Sequence, residues 1–381
     1  MNFDPNDEQR ELQELARSVL ARFTTPAGWA AVESDPDRQP VAAWAALAEA
    51  GLLGVPLAEG HGGVGLGLVE AALVLEEIGR SALPLPFLHS VVICAGAIEH
   101  FGSEAQASEW LPRVVRGEAL LAAALDEEGC PLPPAVPLAT RLEPDGPDFR
   151  LTGRKLHVPH AAVSTRLVVP ARLPDGRAGV VVVDSNARGV GLVRQQVTTF
   201  DPRFVVEFDG VRVSRDDLLG EADQGEAILG FMLDRAWMGL AALQAGVSDE
   251  ALRLTARHVS EREQFGQKVG TFQAVAQRAA DAWIDVQAIR LTARQAAWRL
   301  EQRLDAADEL AIARFWACEA GQRVAHTAQH LHGGLGVLTD YPLHRLFRLA
   351  RQLELSLGGA GLQLERLGAA IADGPRAGRV D

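Results

Sequence analysis

Four long runs of helix-forming residues dominate the C-terminal part of the chain. They cover residues 229–259, 273–303, 306–332 and 342–371, and only short connections separate them. Long helices joined by short connections are typical of a helix bundle, in which each helix buries one face against its neighbours. The pattern therefore predicts a four-helix bundle, and the rest of the chain has to fold around it.

Two different patterns precede the bundle. The first region contains amphipathic or buried helical runs at 7–23, 44–54, 68–79, 87–101 and 106–117. From about residue 120 proline and glycine become dense, and short strand-like runs follow at 149–153, 167–169, 179–183 and 205–208. We predict an α+β, mainly α, chain with an N-terminal helical domain (1–119), a small middle β-domain (120–224) and a C-terminal four-helix bundle (225–381).

Composition excludes several classes of function. The 381-residue chain has a formal net charge of −13, which is unfavourable for binding nucleic acid or an anionic membrane. No apolar run is long enough to span a bilayer, and the acidic start Met1–Pro5 does not resemble a signal peptide. Cys94, Cys130 and Cys318 show neither metal-ligand spacing nor a disulfide framework, so we expect a reducing, cytoplasmic location and no metal site.

A polar stretch from Arg262 to Gln273 separates the first two helical runs of the bundle. Gly266 and Gly270 interrupt the helical pattern there, and a glycine inside a helix costs roughly 1 kcal/mol relative to alanine. A guanidinium is a rigid fork of donors suited to phosphate, and a glutamine amide can both donate and accept. The stretch is therefore either a solvated hinge or a loop that presents donors to a ligand.

Two motifs favour the second interpretation. The pattern Arg-x-x-Phe-Gly at residues 262–266, followed by Phe272 and Gln273, resembles the signature of the acyl-CoA dehydrogenase family. The block His-Gly-Gly-Leu-Gly at 332–336 resembles its Gly-Gly-x-Gly motif, at the family's spacing. The resemblance extends over the whole chain and implies the family's fold and its FAD cofactor. It also implies that this chain clamps the ADP half of a neighbouring subunit's FAD. The residues implied for the clamp are Arg262, Gln264, Phe265, Gln273, His330, Gly333 and Gly334.

The same resemblance implies a reaction and the groups that it needs. Family members remove a proton from the α-carbon and a hydride from the β-carbon of an acyl-CoA thioester, and the flavin accepts the hydride. The base is a desolvated carboxylate close to the α-proton. Counting from the motifs, the base position is Leu357, or Ala236 in a minority of members, and neither can take a proton. Glu354 and Asp234 are the nearest carboxylates, and an ion pair with Arg351 or Arg348 is the alternative role of Glu354.

Contacts to CoA and to the flavin ring also differ from the family's pattern. The arginine that often meets CoA is replaced by Trp237, which leaves Arg235 as the candidate CoA contact. Residues 125–134 replace the Thr-Glu-Pro and Gly-Ser-Asp elements that line the flavin, and only an acidic residue and a glycine survive. The Trp-x-Thr-Asn element is replaced by His-Val-Pro-His at 157–160. Proline offers neither hydroxyl nor N–H, whereas a histidine could stack on a flavin.

These departures leave three hypotheses. The first is a subunit of lipid or sterol catabolism that lacks its own base. It completes a FAD site with a sibling acyl-CoA dehydrogenase subunit in a homo- or heterotetramer that acts on an acyl-CoA. The second is a self-sufficient FAD-dependent dehydrogenase with a relocated base, Glu354 or Asp234. The third is a flavin-free scaffold that keeps only the fold. All three predict a symmetric oligomer, because the outer face of the bundle needs covering.

Overall fold

A computed structural model describes residues 3–128, 138–199, 201–221 and 223–372. Cys130 and residues 129–134 of the stretch predicted to line the flavin lie outside the described residues. Tertiary contacts divide the chain into two units. The bundle unit comprises Met1–Pro26, Leu68–Leu83 and Trp237–Asp381, and the sheet unit comprises Ala27–Gly67 and Pro84–Ala236.

Helices form most of the described structure. In chain order they are α1 (Asp7–Ala21), α2 (Pro26–Ser34), α3 (Val41–Glu49), α4 (Leu68–Ser81), α5 (Gly96–Phe101), α6 (Glu104–Val115), α7 (Gly225–Glu261), α8 (Gln273–Glu301), α9 (Ala307–His332), α10 (Leu343–Leu355) and α11 (Ala360–Ala372). A π-helix covers Phe87–Ala95, directly before α5. Within the described ranges, no helix is both long enough and apolar enough to cross a lipid bilayer.

The strands follow between α6 and α8. They are β1 (Leu121–Ala123), β2 (Arg141–Asp145), β3 (Asp148–Pro159), β4 (Arg166–Arg172), β5 (Ala178–Asp184), β6 (Val190–Gln195), β7 (Arg203–Val213), β8 (Glu263–Gln264) and β9 (Gln267–Lys268). The four predicted runs all fall within strands, namely β3, β4, β5 and β7. Sequence reasoning missed β1, β2 and β6, which are short or irregular in pattern. The domain boundaries at 119/120 and 224/225 remain predictions.

The sheet unit is built on a seven-stranded sheet in the order β1-β4-β2-β3-β7-β6, with β5 paired to β4. Its antiparallel pairs are β2 with β3, β3 with β7, β4 with β5 and β6 with β7. Apolar side chains of β3, β4, β5 and β7 form one buried cluster. The π-helix lies beside β1, where the N–H of Leu121 donates to Ser90 Oγ at 3.0 Å. This contact ties the helical and sheet parts of the unit together.

Helices α7, α8 and α9 confirm three of the four runs predicted for the bundle. The fourth run, 342–371, is wrong in one respect, because it is broken into α10 and α11. Leu357 and Gly358 adopt left-handed backbone conformations there, with φ of 49° and 91°. Left-handed residues end a right-handed helix. The break therefore falls on the segment that carries the predicted base position.

Two N-terminal helices belong to the bundle unit. α1 lies against α4, and α4 crosses α7 at two glycines. A Cβ atom on Gly79 would lie 2.1 Å from the carbonyl oxygen of Leu243. One on Gly246 would lie 1.8 Å from the carbonyl oxygen of Glu76. The two backbones approach so closely that only glycine fits at either position.

A cluster of charged side chains joins the same helices. Arg80 of α4 lies at its centre, with Nε 3.0 Å from Glu77 Oε2 and Nη1 bonded to the Asp249 carboxylate of α7. Arg290 of α8 reaches Asp249 Oδ1 at 2.9 Å, and Arg17 of α1 reaches Glu77 Oε1 at 2.9 Å. Buried charges are tolerated only when they are paired and hydrogen-bonded. The cluster thus fixes four helices to one another through shared carboxylates.

Candidate functional site

The polar stretch between α7 and α8 folds as a β-hairpin. Glu263 of β8 pairs with Lys268 of β9, and their side chains form an ion pair of 2.8 Å. Phe265 and Gly266 make the turn with φ of 53° and 78°, as a type I′ turn requires. The Phe265 side chain is 93% exposed, and its ring meets Phe272 edge to face at 6.4 Å. An exposed aromatic ring on a strained turn is typical of a contact surface.

The predicted donors stand on and beside this hairpin. Arg262 precedes it, Gln264 lies in β8 and Gln273 opens α8, and all three are exposed. The Gln264 amide donates to the carbonyl oxygen of Glu263 at 2.7 Å. The side chains of Arg262 and Gln273 make no hydrogen bond or ion pair within the part of the chain that the structure describes. Both are therefore available to an anionic group from outside.

Gly333 and Gly334 follow α9 and are both exposed. Gly333 has φ 60° and ψ −137°, a conformation essentially restricted to glycine. A Cβ atom on either residue would meet nothing within 4 Å, whereas one on Gly336 would lie 2.7 Å from the Gln329 amide nitrogen. Packing within the chain therefore explains why residue 336 is a glycine. It does not explain Gly334, where the missing side chain fits the close approach of a ligand.

The start of α8 and the end of α9 meet at an open groove. α8 begins without a side-chain cap, and uncapped N–H groups at a helix N-terminus favour anions. The groove has a volume of about 900 Å³, and its lining includes Ala274 and Arg278 of α8 and His330 of α9. The structure thus brings one predicted clamp residue, His330, to the first turns of the helix that Gln273 opens.

Leu357, the predicted base position, lies in the break between α10 and α11. Its carbonyl oxygen accepts a 3.0 Å hydrogen bond from the indole N–H of Trp237. Trp237 is only 3% exposed, and the guanidinium of Arg366 lies over its ring at 3.7 Å from the centroid. Ala236, the alternative predicted base position, is 0% exposed. Leu357 and Trp237, which stand at the predicted base and CoA positions, are thus joined by one hydrogen bond.

A second buried donor holds the same segment. Arg314 of α9 is 0% exposed, and burial lowers the pKa of its guanidinium. Its Nη2 donates to three carbonyl oxygens, those of Leu353, Ser356 and Gly358, at 3.0, 2.9 and 3.3 Å. Side chains of α7 and α9 therefore fix the backbone of the break, which explains why Leu357 keeps a left-handed conformation.

Trp237→Phe is expected to lower the free energy of unfolding by about 1–3 kcal/mol, because it leaves the Leu357 carbonyl without its donor. The measurement is a urea-unfolding curve at fixed protein concentration. Trp316→Phe is the matched control, since the Trp316 indole N–H makes no hydrogen bond within the described residues. An equal loss in both variants would assign the effect to ring volume and contradict the role of the hydrogen bond.

The two candidate carboxylates, Glu354 and Asp234, lie far apart in the sequence and have different surroundings. Glu354 forms an ion pair with Arg351, the alternative role given to it above. Burial raises the pKa of Glu354, and Arg351 opposes that effect.

Asp234 is half-buried, and the guanidinium of Arg235 lies 3.2 Å from the centroid of the Phe231 ring. Burial lowers the pKa of Arg235 to about 10. The catalytic roles of Glu354 and Asp234 and the CoA contact of Arg235 remain predictions.

The segment predicted to replace the family's flavin-ring contacts, residues 157–160, lies at the end of β3. His157 is exposed with φ 50°, and its Nδ1 lies 2.7 Å from Asp126 Oδ2. Glu127 is buried and its Oε1 lies 2.6 Å from Lys155 Nζ. Burial raises the pKa of Glu127, but the charge of Lys155 and the hydrogen bonds that the carboxylate accepts together hold the pKa below its ordinary value. These acids are therefore engaged within the chain.

His160 ends that segment and is buried in the sheet unit, with 3% exposure and φ 56°. Its Nε2 lies 3.6 Å from Asp201 Oδ1, and its Nδ1 lies 3.1 Å from the amide nitrogen of Gln39. Burial lowers the pKa of His160 to about 4, so the imidazole is neutral at neutral pH. Stacking on a flavin would require His160 to leave these partners.

Sequence reasoning missed the polar group around His160. His89 of the π-helix lies near Arg203 and Asp201, and burial lowers the pKa of His89 to about 3. Arg203 Nη2 is 2.5 Å from Asp201 Oδ2. These residues are far apart in sequence and meet only through the paired strands and the π-helix. No local sequence pattern predicts such a group, although π-helices often occur at functional sites.

Comparisons with known proteins agree with this architecture. The family model described as "Acyl-CoA dehydrogenase, N-terminal domain" matches residues 6–118, and "Acyl-CoA dehydrogenase, C-terminal domain" matches residues 223–372. Acyl-CoA dehydrogenase FadE27 of Mycobacterium tuberculosis is 35% identical, over 98% of this chain and 100% of its own. FadE28 of the same organism is 33% identical, over 97% and 98%.

Solved structures give the same result. The ChsE4-ChsE5 complex from Mycobacterium tuberculosis matches with a TM-score of 0.92 and 36% identity, over 99% of this chain and 100% of that chain. A variant of the Tcur3481-Tcur3483 steroid ACAD matches with a TM-score of 0.89 and 40% identity, over 97% and 98%. Relatives of this identity cover 97–99% of the chain. The chain therefore belongs to the acyl-CoA dehydrogenase family, whose members are FAD-binding oxidoreductases.

Proposed function

We propose that this chain is a base-lacking acyl-CoA dehydrogenase subunit that completes a FAD site with a sibling subunit for the α,β-dehydrogenation of an acyl-CoA. One observation carries the proposal. Arg262 and Gln273, two of the donors that would hold a FAD from outside, are exposed and make no hydrogen bond or ion pair within the described residues, whereas both predicted base positions, Leu357 and Ala236, hold hydrocarbon side chains. Such a chain can contribute to cofactor binding but supplies no base at either position for abstracting the α-proton.

The clamp would come from the hairpin, the start of α8 and the glycines after α9. Arg262 would pair with a phosphate oxygen, and the uncapped first turn of α8 adds N–H donors and the positive end of the helix dipole. Gly333 and Gly334 would let the nucleotide lie against the backbone. Bound FAD supplies the hydride acceptor. The residues of this chain hold its ADP half, with Gln264, Phe265, Gln273 and His330 completing the contact surface.

The sheet unit supports placing the flavin ring in the sibling. Pro159 offers neither hydroxyl nor N–H to a ring, and His160 is buried against Gln39 and Asp201. Freeing His160 would strip these polar groups of their partners, which costs roughly 1–3 kcal/mol for each group left unsatisfied. The flavin ring is therefore expected to bind the sibling's sheet and only its ADP half to bind this chain.

Two solved relatives support a sibling of a different sequence. ChsE4-ChsE5 is described as a complex and Tcur3481-Tcur3483 as a steroid ACAD, and each carries the names of two chains. We infer that this chain assembles with a second acyl-CoA dehydrogenase subunit into a heterotetramer. The steroid relative makes a steroid-derived acyl-CoA the substrate class that we propose.

The test is the FAD content of the chain purified alone and then together with a candidate sibling, read from the flavin absorbance per chain. We expect almost no flavin in the chain alone, and a yellow complex with fewer FAD molecules than chains. Nearly one FAD per chain in the lone protein would contradict the proposal and favour the self-sufficient enzyme. No flavin in either preparation would contradict it too and favour the scaffold.

Arg262→Ala is expected to weaken FAD binding by the complex roughly 10- to 100-fold, because a hydrogen bond to a charged group contributes about 1.5–3 kcal/mol. Arg253→Ala is the control, since Arg253 is an exposed arginine on α7 that pairs with Glu250. FAD titration of the deflavinated complexes measures the difference. Equal affinities in the two variants would rule Arg262 out of the clamp.

The raised pKa of Glu354 is the observation that favours the self-sufficient enzyme, because a general base needs partial desolvation. Arg351 weakens this case, since it holds the carboxylate in an ion pair on α10. The FAD content of the lone chain distinguishes the base-lacking subunit from the self-sufficient enzyme, because only the self-sufficient enzyme needs a complete flavin site of its own.

A further inference from the structure

Two histidines stack on each other between the two motifs of the clamp. His258 lies in the last turn of α7, and His332 is the last residue of α9. Their ring centroids are 4.6 Å apart, and the ring planes differ by 18°. His332 is 6% exposed, whereas His258 is half-buried. This His258–His332 stack therefore joins the ends of two helices that are far apart in the sequence.

Each histidine of the stack is directly connected to one part of the clamp. The carbonyl oxygen of His258 accepts a 2.8 Å hydrogen bond from the N–H of Arg262, one helical turn later. Residues four positions apart lie on the same side of a helical turn. His332 is joined by its peptide bond to Gly333, and Gly334 follows. The two imidazoles thus connect the arginine of the first motif to the glycines of the second.

Hydrogen bonds fix the orientation of the His332 ring. Its Nδ1 lies 2.8 Å from the carbonyl oxygen of Ala328, and its Nε2 lies 3.0 Å from the hydroxyl oxygen of Tyr341. A carbonyl oxygen can only accept, so Nδ1 carries the proton and the Tyr341 hydroxyl donates to Nε2. The carbonyl oxygen of Tyr341 in turn lies 2.7 Å from His344 Nδ1. The His332 ring is therefore held in one orientation by groups on both of its nitrogens.

The surroundings of the stack favour the uncharged form of both imidazoles. Burial lowers the pKa of His332. Burial and the charge of Arg262 lower the pKa of His258, and Glu261 opposes them. Two neutral rings stack well at this separation, whereas two imidazolium rings would repel each other. The charged and titratable groups that act on the stack and its hydrogen-bond partner are Arg257, Glu261, Arg262 and Tyr341.

We propose that His258, His332 and Tyr341 are positioning residues of the FAD clamp. The stack sets the separation between Arg262 and the backbone of Gly333, and Tyr341 keeps the stack in register. Both parts of the clamp are then in place before FAD arrives, which avoids the cost of ordering them on binding. This inference rests on the function proposed above. The three residues act through the clamp and leave the contacts with FAD to it.

The first test is the FAD affinity of the complex with the sibling. Tyr341→Phe removes one hydroxyl and keeps the ring, so we expect the dissociation constant for FAD to rise about 3- to 10-fold, the range that one hydrogen bond supports. His258→Ala removes the stack and should raise it at least as much. His100→Ala is the control, since His100 stacks on Phe231 in the sheet unit with ring centroids 5.1 Å apart. It should leave the FAD affinity unchanged.

A double-mutant cycle separates positioning from a general structural role. In a complex that already carries Arg262→Ala, Tyr341→Phe should change the FAD dissociation constant by less than about twofold, because the separation that it disturbs no longer matters. Thermal melting confirms that each variant is folded. Equal losses of affinity from Tyr341→Phe with and without Arg262 would assign Tyr341 a structural role and overturn the proposal.

The second test needs no flavin. The chain contains one tyrosine, so 3-fluorotyrosine labels position 341 alone and gives a single ¹⁹F resonance. In the lone chain this resonance should titrate with a midpoint below about pH 6.5, the ordinary pKa of histidine. His332→Phe should abolish that titration. An identical titration curve in His332→Phe would overturn the hydrogen bond on which the proposal depends.

The two tests distinguish this inference from the clamp itself. Wild-type FAD affinity in the Arg262→Ala complex would refute the clamp, and the positioning role would fall with it. Weaker binding in Arg262→Ala, together with unchanged affinity in Tyr341→Phe and His258→Ala, would refute the positioning role alone.

Discussion

Gly246→Ala is expected to lower the free energy of unfolding by about 3 kcal/mol or more, although alanine is the better helix former. A Cβ atom on Gly246 would lie 1.8 Å from the carbonyl oxygen of Glu76 and 2.8 Å from the backbone nitrogen of Arg80. Both contacts are with the backbone of α4, so no side-chain rotation relieves them. α4 and α7 have to separate, and the ion pairs that join them lengthen at the same time.

Gly230→Ala on the same helix is the matched control. A Cβ atom on Gly230 would meet nothing within 4 Å, so this change should be neutral or stabilise the protein by up to about 1 kcal/mol. Urea-unfolding curves of both variants give the comparison. If Gly246→Ala were as stable as Gly230→Ala, the two helix backbones would have to lie farther apart than described.

Arg80→Met is the second change with a large expected effect, a loss of about 3–5 kcal/mol. The Arg80 side chain is 15% exposed and shares its charge between Glu77, whose side chain is 0% exposed, and Asp249. Methionine keeps much of the volume but leaves these carboxylates short of a cation. Arg290 still reaches Asp249, and Arg17 still reaches Glu77, so the remaining pairs limit the loss.

Arg253→Met serves as the control for this prediction. Arg253 pairs with Glu250 at the edge of the same cluster, but its side chain is 56% exposed, so we expect a loss below about 1 kcal/mol. Thermal and urea unfolding at one protein concentration measure both variants. Equal losses in the free energy of unfolding would mean that the buried Arg80 and the exposed Arg253 stabilise the protein equally. That result would contradict the argument that buried ion pairs matter more.

The contribution of Arg80 to the free energy of unfolding should depend on pH. Burial raises the pKa of Asp249, but the charges and hydrogen bonds of Arg80 and Arg290 together hold that pKa below its ordinary value. A depressed carboxylate pKa contributes stability above the unfolded pKa of about 3.9, and this contribution is lost as the pH falls through the folded pKa. The stability difference between wild type and Arg80→Met is therefore expected to shrink below about pH 4. A difference that stays constant down to pH 3 would contradict this linkage.

Long periodic patterns were the part of the fold that could be predicted. α7, α8 and α9 repeat apolar residues over many turns, so their existence follows from the chain itself. The break at Leu357 could not be predicted, because its left-handed backbone depends on Trp237 and Arg314. These donors lie far from residue 357 in sequence, and nothing in the local pattern signals their contact.

The candidate site, like the fold, could be predicted only in part. Residues of the two motifs could be named in advance, and Arg262, Gln264 and Gln273 are exposed. The hairpin conformation was missed, because Phe265 is an unusual residue at a left-handed turn position and gives no turn signal. The partners of His160 come from the segment before β7 and the segment before α3, and His89 of the π-helix lies nearby. Only the folded sheet brings them together.

The hydrogen bonds that hold the break between α10 and α11 end on main-chain oxygens. Trp237 and Arg314 bind carbonyl groups of residues 353, 356, 357 and 358 and none of their side chains. The path of the backbone is thus set independently of the group displayed at position 357. A carboxylate side chain and a leucine side chain at this position can therefore share one backbone conformation. The group displayed there can change while the fold stays the same.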